Sequence, residues 1–140
     1  DDMGQFVVRK TLEELETIGI APAGARVNIL GITFKEDFPD VRNSQVFTMI
    51  HQLELDGFTV QVADPVADQE EILKLEGVIL TSLEDLAPAP VLILAVAHKL
   101  YSVQGQDLIN NLISSPGVLI DVKAALRSCN LAPSIRYWSL

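Results

Sequence analysis

Four short apolar runs, separated by stretches of helical spacing, constrain this chain more than any other feature. Val27–Ile32, Phe58–Ala63 and Val91–Val96 carry no charge, and Val118–Val122 carries only Asp121. Strands that are apolar on consecutive residues are covered on both faces, as parallel strands are. Helical spacing lies between them: 41–56, with Val46, Ile50 and Leu53 on one face and Phe47 and Met49 beside it; the acid-rich 68–75; and 104–113. Gly57 ends the first of these and Asp64-Pro65 ends the second strand. Such alternation builds parallel β-α-β units. The sequence therefore predicts an α/β fold, a Rossmann-like, doubly wound, mostly parallel sheet preceded by an N-terminal helix. That helix runs from Met3 to Ile18, stops at Gly19 and leads into a linker at 21–25. Val78–Leu80 reads as a short strand, Leu83–Leu86 as one helical turn, and the tail from Ser128 as irregular.

The 140 residues suffice for one domain with a sizeable core. With 49% hydrophobic and 21% charged residues the chain is of a folding composition. Its longest apolar run, Val91–Ala97, is far too short to span a membrane. Asp1-Asp2-Met3-Gly4 has no basic region of the kind that opens a signal peptide, and the absence of an initiator Met predicts an excised piece. The single Cys129 rules out an intrachain disulfide and fits a reducing, cytoplasmic location. A net charge of −9 argues against nucleic acid or an anionic membrane as partner.

Ligands of doubly wound sheets bind beyond the carboxyl ends of the strands. Lys35, Lys99 and Lys123 each follow such an end, and Arg42 opens the helix after the first strand. An acidic chain thus gathers positive charge on one edge, where helix N-termini add to it; the implied ligand is a phosphate or diphosphate. Taken alone, these lysines read equally as solvated loop residues. The first βα turn has one glycine, Gly31, followed by Ile32, Phe34 and Lys35, and lacks the Gly-x-Gly-x-x-Gly of a dinucleotide site. NAD is therefore rejected as a ligand of this domain, and Asp64 reads as a structural turn residue. Phe34 either stacks on a base or sugar or covers the sheet edge. His98 either donates to a phosphate or base or is a plain polar contact. His51 and Cys129 receive no function.

Gly31-Ile32-Thr33-Phe34-Lys35, followed by Pro39-Asp40-Val41-Arg42-Asn43-Ser44, closely resembles the UDP-glucose/GDP-mannose dehydrogenase family. Ala63-Asp64-Pro65, Ala95-Val96-Ala97-His98, Leu119-Ile120-Asp121-Val122-Lys123 and the opening Asp2-Met3-Gly4 match in order along nearly the whole chain. Ala-His and Asp-Val-Lys look closer to the UDP-N-acetylhexosamine (uronic acid) branch. The resemblance implies the C-terminal, UDP-sugar-binding domain over 26–140, with 1–20 as the end of the joining helix. It implies a parent enzyme that oxidises C6 of a UDP-sugar to a carboxylate with NAD, through a catalytic cysteine that this chain lacks. By the same resemblance Phe34, Lys35 and Lys123 contact substrate. Arg42 and Ser44 either touch ligand or brace the loop, and His98 joins them as a further candidate. A role in capsule or O-antigen precursor synthesis is a family-level expectation.

Two further expectations follow. The isolated chain should show no dehydrogenase activity. It should self-associate as a homodimer through the first helix, because Met3, Phe6, Val7, Leu12, Leu15 and Ile18 offer more apolar surface than a terminal helix needs. The competing reading is a non-enzymatic, acidic α/β signalling or protein-interaction module. Such a receiver-like domain needs clustered acids where this chain has Phe34-Lys35.

Overall fold

The computed structural model describes residues 2–140. Helix α1 (Met3–Thr17) precedes β1 (Arg26–Leu30), α2 (Val46–Leu55), β2 (Thr59–Ala63), α3 (Gln69–Glu76), β3 (Ala89–Leu94), α4 (Lys99–Leu112), β4 (Ile113–Asp121) and β5 (Ile135–Trp138). The five strands form one sheet in the order β2-β1-β3-β4-β5, and every pairing is parallel. The chain moves outward from β1 to β2, then returns to place β3 on the other side of β1. In doubly wound sheets the crevice at such a reversal is where ligands bind.

The period of two in a strand sorts the core into two layers. Val27 and Ile29 of β1, with Val91, Ile93, Val118 and Ile120, pack under α1, α2 and Ile72 of α3. Leu30, Leu92, Leu94 and Leu119 point the other way, under Tyr101, Leu108, Ile109 and Leu112 of α4. Both faces are covered, which is why the strands read as continuous apolar runs.

The apolar stripe of α1 is turned inward. Val7, Val8 and Leu15 are buried on the domain's own core, and Phe6 meets Trp138 edge-on at 5.6 Å. The surplus surface expected to seek a partner is thus largely consumed within the domain. Gly4 shows how closely α1 approaches α2: a Cβ there would stand 2.8 Å from the Gln45 carbonyl oxygen.

The structure departs from the sequence reading in five places, one of them β4, which begins at Ile113 rather than Val118. Helix α2 begins at Val46, not Val41, because 41–45 is a turn. Asp40 accepts from the Arg42 N–H, Asn43 is left-handed with φ 63°, and the Ser44 hydroxyl accepts from the Val46 N–H. Helix α4 begins at Lys99 rather than Gln104, and Gly105 (φ 28°, ψ −97°) kinks it where the sequence signal breaks. No strand forms at 78–80; the Gln69 amide brackets that segment, bonding the Val78 carbonyl and the Leu80 N–H. The irregular tail contains β5, whose Trp138 faces α1 and whose Arg136 pairs with Glu14.

Candidate functional site

The carboxyl ends of β1, β3 and β4 open onto a crevice of about 160 Å³. Thr33 to Glu36 line it from the β1 side, Ala95 and Val96 from β3, and Val122 and Lys123 from β4. Asn43 to Val46 close it at the N-terminus of α2. The structure therefore brings together Phe34, Lys35, Ser44 and Lys123. Phe34 is 58% exposed, too open to serve as cover for the sheet edge. Lys35 is exposed, and its Nζ stands 4.6 Å from the Phe38 ring centroid, a cation–π contact within the loop.

Arg42 is not among the lining residues of this crevice. It lies on the outer side of the 41–45 turn, and its guanidinium is held by Asp40 at 3.1 and 3.2 Å. That hydrogen bond and its charge keep the Asp40 carboxyl below the usual carboxylate range. Ser44 uses its hydroxyl oxygen to accept from the Val46 N–H, so it braces the start of α2 while facing the crevice. Lys99 stands apart; its backbone N–H, not its ammonium, serves the site by donating to Asp37 at 2.9 Å.

His98, read as either a ligand donor or a plain polar contact, is placed inside the domain. Its side chain is fully buried and both ring nitrogens are taken. Nδ1 accepts the Asp37 N–H at 2.9 Å, so the ring proton sits on Nε2 and donates to Asp64 at 2.9 Å, with the Thr33 hydroxyl at 3.3 Å. The ring lacks a free edge for a substrate.

Two buried carboxylates support the site: Asp64, in the structural turn role the sequence implied, and Asp121, to which the sequence reading assigned no role. Asp64, at the end of β2, accepts from the Ile32, Val66 and Ala67 N–H groups as well as from His98. It fastens the β1 loop to the sheet. Asp121, at the end of β4, accepts from the Ala125 and Leu126 N–H groups and from the Tyr137 hydroxyl. Burial, then that bond, pushes the Tyr137 phenol up. Lys123 sits within the turn that Asp121 organises, next to left-handed Ala124. Each lysine is thus presented by a turn built on a buried acid. An aspartate ending an apolar strand was the available signal.

Burial alone would raise the pKa of Asp64, but the bonds from His98, Ile32, Val66 and Ala67 outweigh it, and the net direction is down. A carboxyl depressed below its unfolded value of about 3.9 contributes stability above that pH and loses it as pH falls through the folded value. Urea midpoints of the natural chain and Asp64→Asn should therefore differ most near neutrality and converge below about pH 4. A gap that stays constant down to pH 3 would show that the charge of Asp64 contributes nothing.

The larger depressions do not suit an anion. The one of about 640 Å³ lies at the opposite end of the sheet, beside Pro88 and Leu112, and carries Glu84 and Asp107 without a basic side chain. The one of about 440 Å³ contains Arg42 and His51, but Asp40 holds the first, and Glu54 and Glu76 stand 3.9 and 3.8 Å from the second. Among the described residues no group of three or more His, Cys, Asp or Glu is placed to hold a metal, and no helix is long and apolar enough to cross a membrane.

The sequence of residues 28–128 matches the UDP binding domain of the UDP-glucose/GDP-mannose dehydrogenase family. Protein CapL of Staphylococcus aureus is 37% identical over 140 residues, all of this chain and 33% of that protein. UDP-N-acetyl-D-glucosamine 6-dehydrogenase of Salmonella typhi is 32% identical over 126 residues, 90% of this chain and 30% of that protein. The chain spans about a third of the length of these relatives. Among solved structures, NDP-N-acetyl-D-galactosaminuronic acid dehydrogenase from Methanosarcina mazei superposes with a TM-score of 0.78 at 21% identity, covering 98% of this chain and 29% of the other. At that identity the likeness speaks for the fold alone.

Proposed function

Because the chain belongs to the UDP-glucose/GDP-mannose dehydrogenase family, as its UDP-binding domain, we propose that its crevice holds the UDP portion of a UDP-sugar whose C6 alcohol the parent enzyme oxidises to a carboxylate. The observation that carries this is the meeting of Lys35 and Lys123, from different strand ends, at the β1/β3 reversal of an otherwise acidic domain. The two ammonium groups bind the diphosphate by charge-assisted hydrogen bonds, and exposed Phe34 lies flat against the base or sugar. Ser44 keeps the helix end in place, and Arg42 serves the same loop through Asp40.

The crevice is smaller than the 300 Å³ or more, in round terms, that a whole ligand of this size needs. The remaining wall comes from the rest of the parent, with residues 1–20 as the end of a joining helix and 26–140 as the UDP-sugar-binding domain. The likeness to UDP-N-acetyl-D-glucosamine 6-dehydrogenase of Salmonella typhi favours a UDP-N-acetylhexosamine as the sugar. A cytoplasmic enzyme that supplies uronic acid precursors for surface polysaccharide fits this reading better than the signalling alternative.

NAD belongs to the proposed parent and not to this crevice. Both oxygens of Asp64, where a ribose-binding acid would stand, are occupied from within the domain. The positions of the second and third fingerprint glycines hold Thr33 and Glu36. No residue here takes part in hydride transfer, and Cys129 lies beside Gly105 on the α4 face, away from the crevice.

We extend the proposal to a homodimer that includes α1. With the helix's inner face committed, the contact would use half-buried Leu12 and Ile20 around the shallow groove they share with Gly19 and Pro22. A purified sample of the chain tests all three points. It should bind UDP and not acetyl phosphate, form no NADH with any UDP-sugar, and sediment as a dimer at high concentration. Binding of acetyl phosphate without UDP would sink the site, NADH formation would sink the division of labour, and a persistent monomer would sink the interface.

A further inference from the structure

The loop that carries Phe34 and Lys35 is tied to the sheet by a chain of side chains that themselves stand back from the crevice. The Asp37 N–H donates to His98 Nδ1, His98 Nε2 donates to Asp64, and Asp64 accepts the Ile32 N–H where β1 ends. From the loop side, the Asp37 carboxylate accepts the Lys99 N–H that follows His98 in sequence. The loop is crossed internally by the Phe34 N–H to the Asp40 carbonyl at 2.7 Å and by the Thr33 hydroxyl to the Lys35 carbonyl at 3.0 Å. His98 is itself wedged against the Tyr101 ring, whose hydroxyl donates to the Ala63 carbonyl. Asp37 adopts φ 64°, a left-handed backbone that costs a non-glycine residue free energy unless its surroundings hold it.

We propose that Asp64, His98 and Asp37 form a positioning latch that sets the substrate affinity of the loop 33–40 without touching the ligand. The inference rests on the UDP-site reading above and adds residues to it. Any buried imidazole must have both nitrogens matched; what singles this one out is that its two partners, Asp37 and Asp64, belong to different parts of the fold. The latch matches each to a different element, the loop and β2. Breaking the Nδ1 end frees the peptide of Asp37, three residues from Phe34 and two from Lys35, and leaves the sheet paired.

The test uses the full-length enzyme. His98→Gln keeps a donor for Asp64 but offers Asp37 no acceptor at the Nδ1 position; His98→Asn restores that acceptor with its amide oxygen. Losing one neutral hydrogen bond is worth about 1 kcal/mol, so His98→Gln should raise the UDP-sugar KM roughly fivefold. Its kcat and NAD KM should hold, amide hydrogen exchange at 34–38 should rise, and His98→Asn should recover most of the protection. Asp37→Gly keeps the left-handed backbone and removes the carboxylate, and should loosen the same amides even if the His98 variants fold poorly. Unchanged exchange at 34–38, or UDP-sugar and NAD KM values rising together, would overturn the latch. Lys35→Ala in the same series separates the two readings. If it raises the UDP-sugar KM and the latch variants do not, the latch has failed. If it too leaves KM at the natural value, the UDP site has failed and the latch falls with it.

Discussion

In the full-length enzyme, Lys35→Ala and Lys123→Ala should each raise the KM for the UDP-sugar while leaving that for NAD nearly unchanged. A hydrogen bond to a charged group contributes about 1.5–3 kcal/mol, so each loss should weaken binding roughly ten- to a hundredfold. Both lysines line one crevice, but they arrive from different strand ends and are held by different turns. Their losses should therefore add in free energy unless they share one phosphate oxygen, in which case the double variant falls short of the product. Lys35→Arg should be tolerated far better than Lys35→Ala, because a guanidinium keeps the charge and can stack on the same Phe38 ring. Steady-state kinetics with both substrates varied gives the answer. Wild-type KM for the sugar nucleotide in both alanine variants would remove the diphosphate from this crevice.

Gly31→Ala should be a severely damaging small substitution. The chain leaves β1 at Gly31 with φ 93°, a conformation that alanine adopts only at a cost. A Cβ there would lie 2.6 Å from both the Cβ and the carbonyl oxygen of Val96, and 2.8 Å from its N. Those atoms belong to the end of β3, where the Ala95 and Val96 N–H groups both bond the Leu30 carbonyl, so they cannot yield without opening the sheet. Backbone strain and clash together should cost about 3 kcal/mol or more, a fall of roughly 10 °C in melting temperature for a domain this size. Gly19→Ala is the control. Its φ is 75° and no atom lies within 4 Å of the added carbon, so only the left-handed backbone cost of about 1–2 kcal/mol remains. Thermal unfolding of the two variants side by side decides the matter; equal losses would mean that the approach of β1 to β3 is not the constraint.

That approach also accounts for where the proposed site lies. Gly31 lets the ends of β1 and β3 close to contact, and the chain then departs sideways as the 33–40 loop. A side chain in place of the glycine hydrogen would separate the two strand ends that form the floor of the crevice.

The sequence by itself determined the layered fold and the end of the sheet that matters. Continuous apolar runs require two covered faces, and strand–helix alternation requires parallel pairing, so the carboxyl edge and its lysines follow from local pattern. What it could not carry were contacts between residues far apart in the chain. Strand β5 has only four residues, one of them Arg136, and is a strand because β4 offers an edge and Phe6 offers Trp138 a face. The inward turn of α1 was decided by the sheet it covers, since an amphipathic helix has the same pattern whether it meets its own domain or a partner. For His98 the sequence left two roles open, because a histidine after a strand can serve a ligand or make a plain polar contact. Asp37 and Asp64, 61 and 34 residues away, use up both of its nitrogens. Arg42 is the local exception: Asp40, only two residues before it, holds its guanidinium. Residue type and spacing set which groups can bind an anion; only the tertiary hydrogen bonds decide which of them remain free to do so.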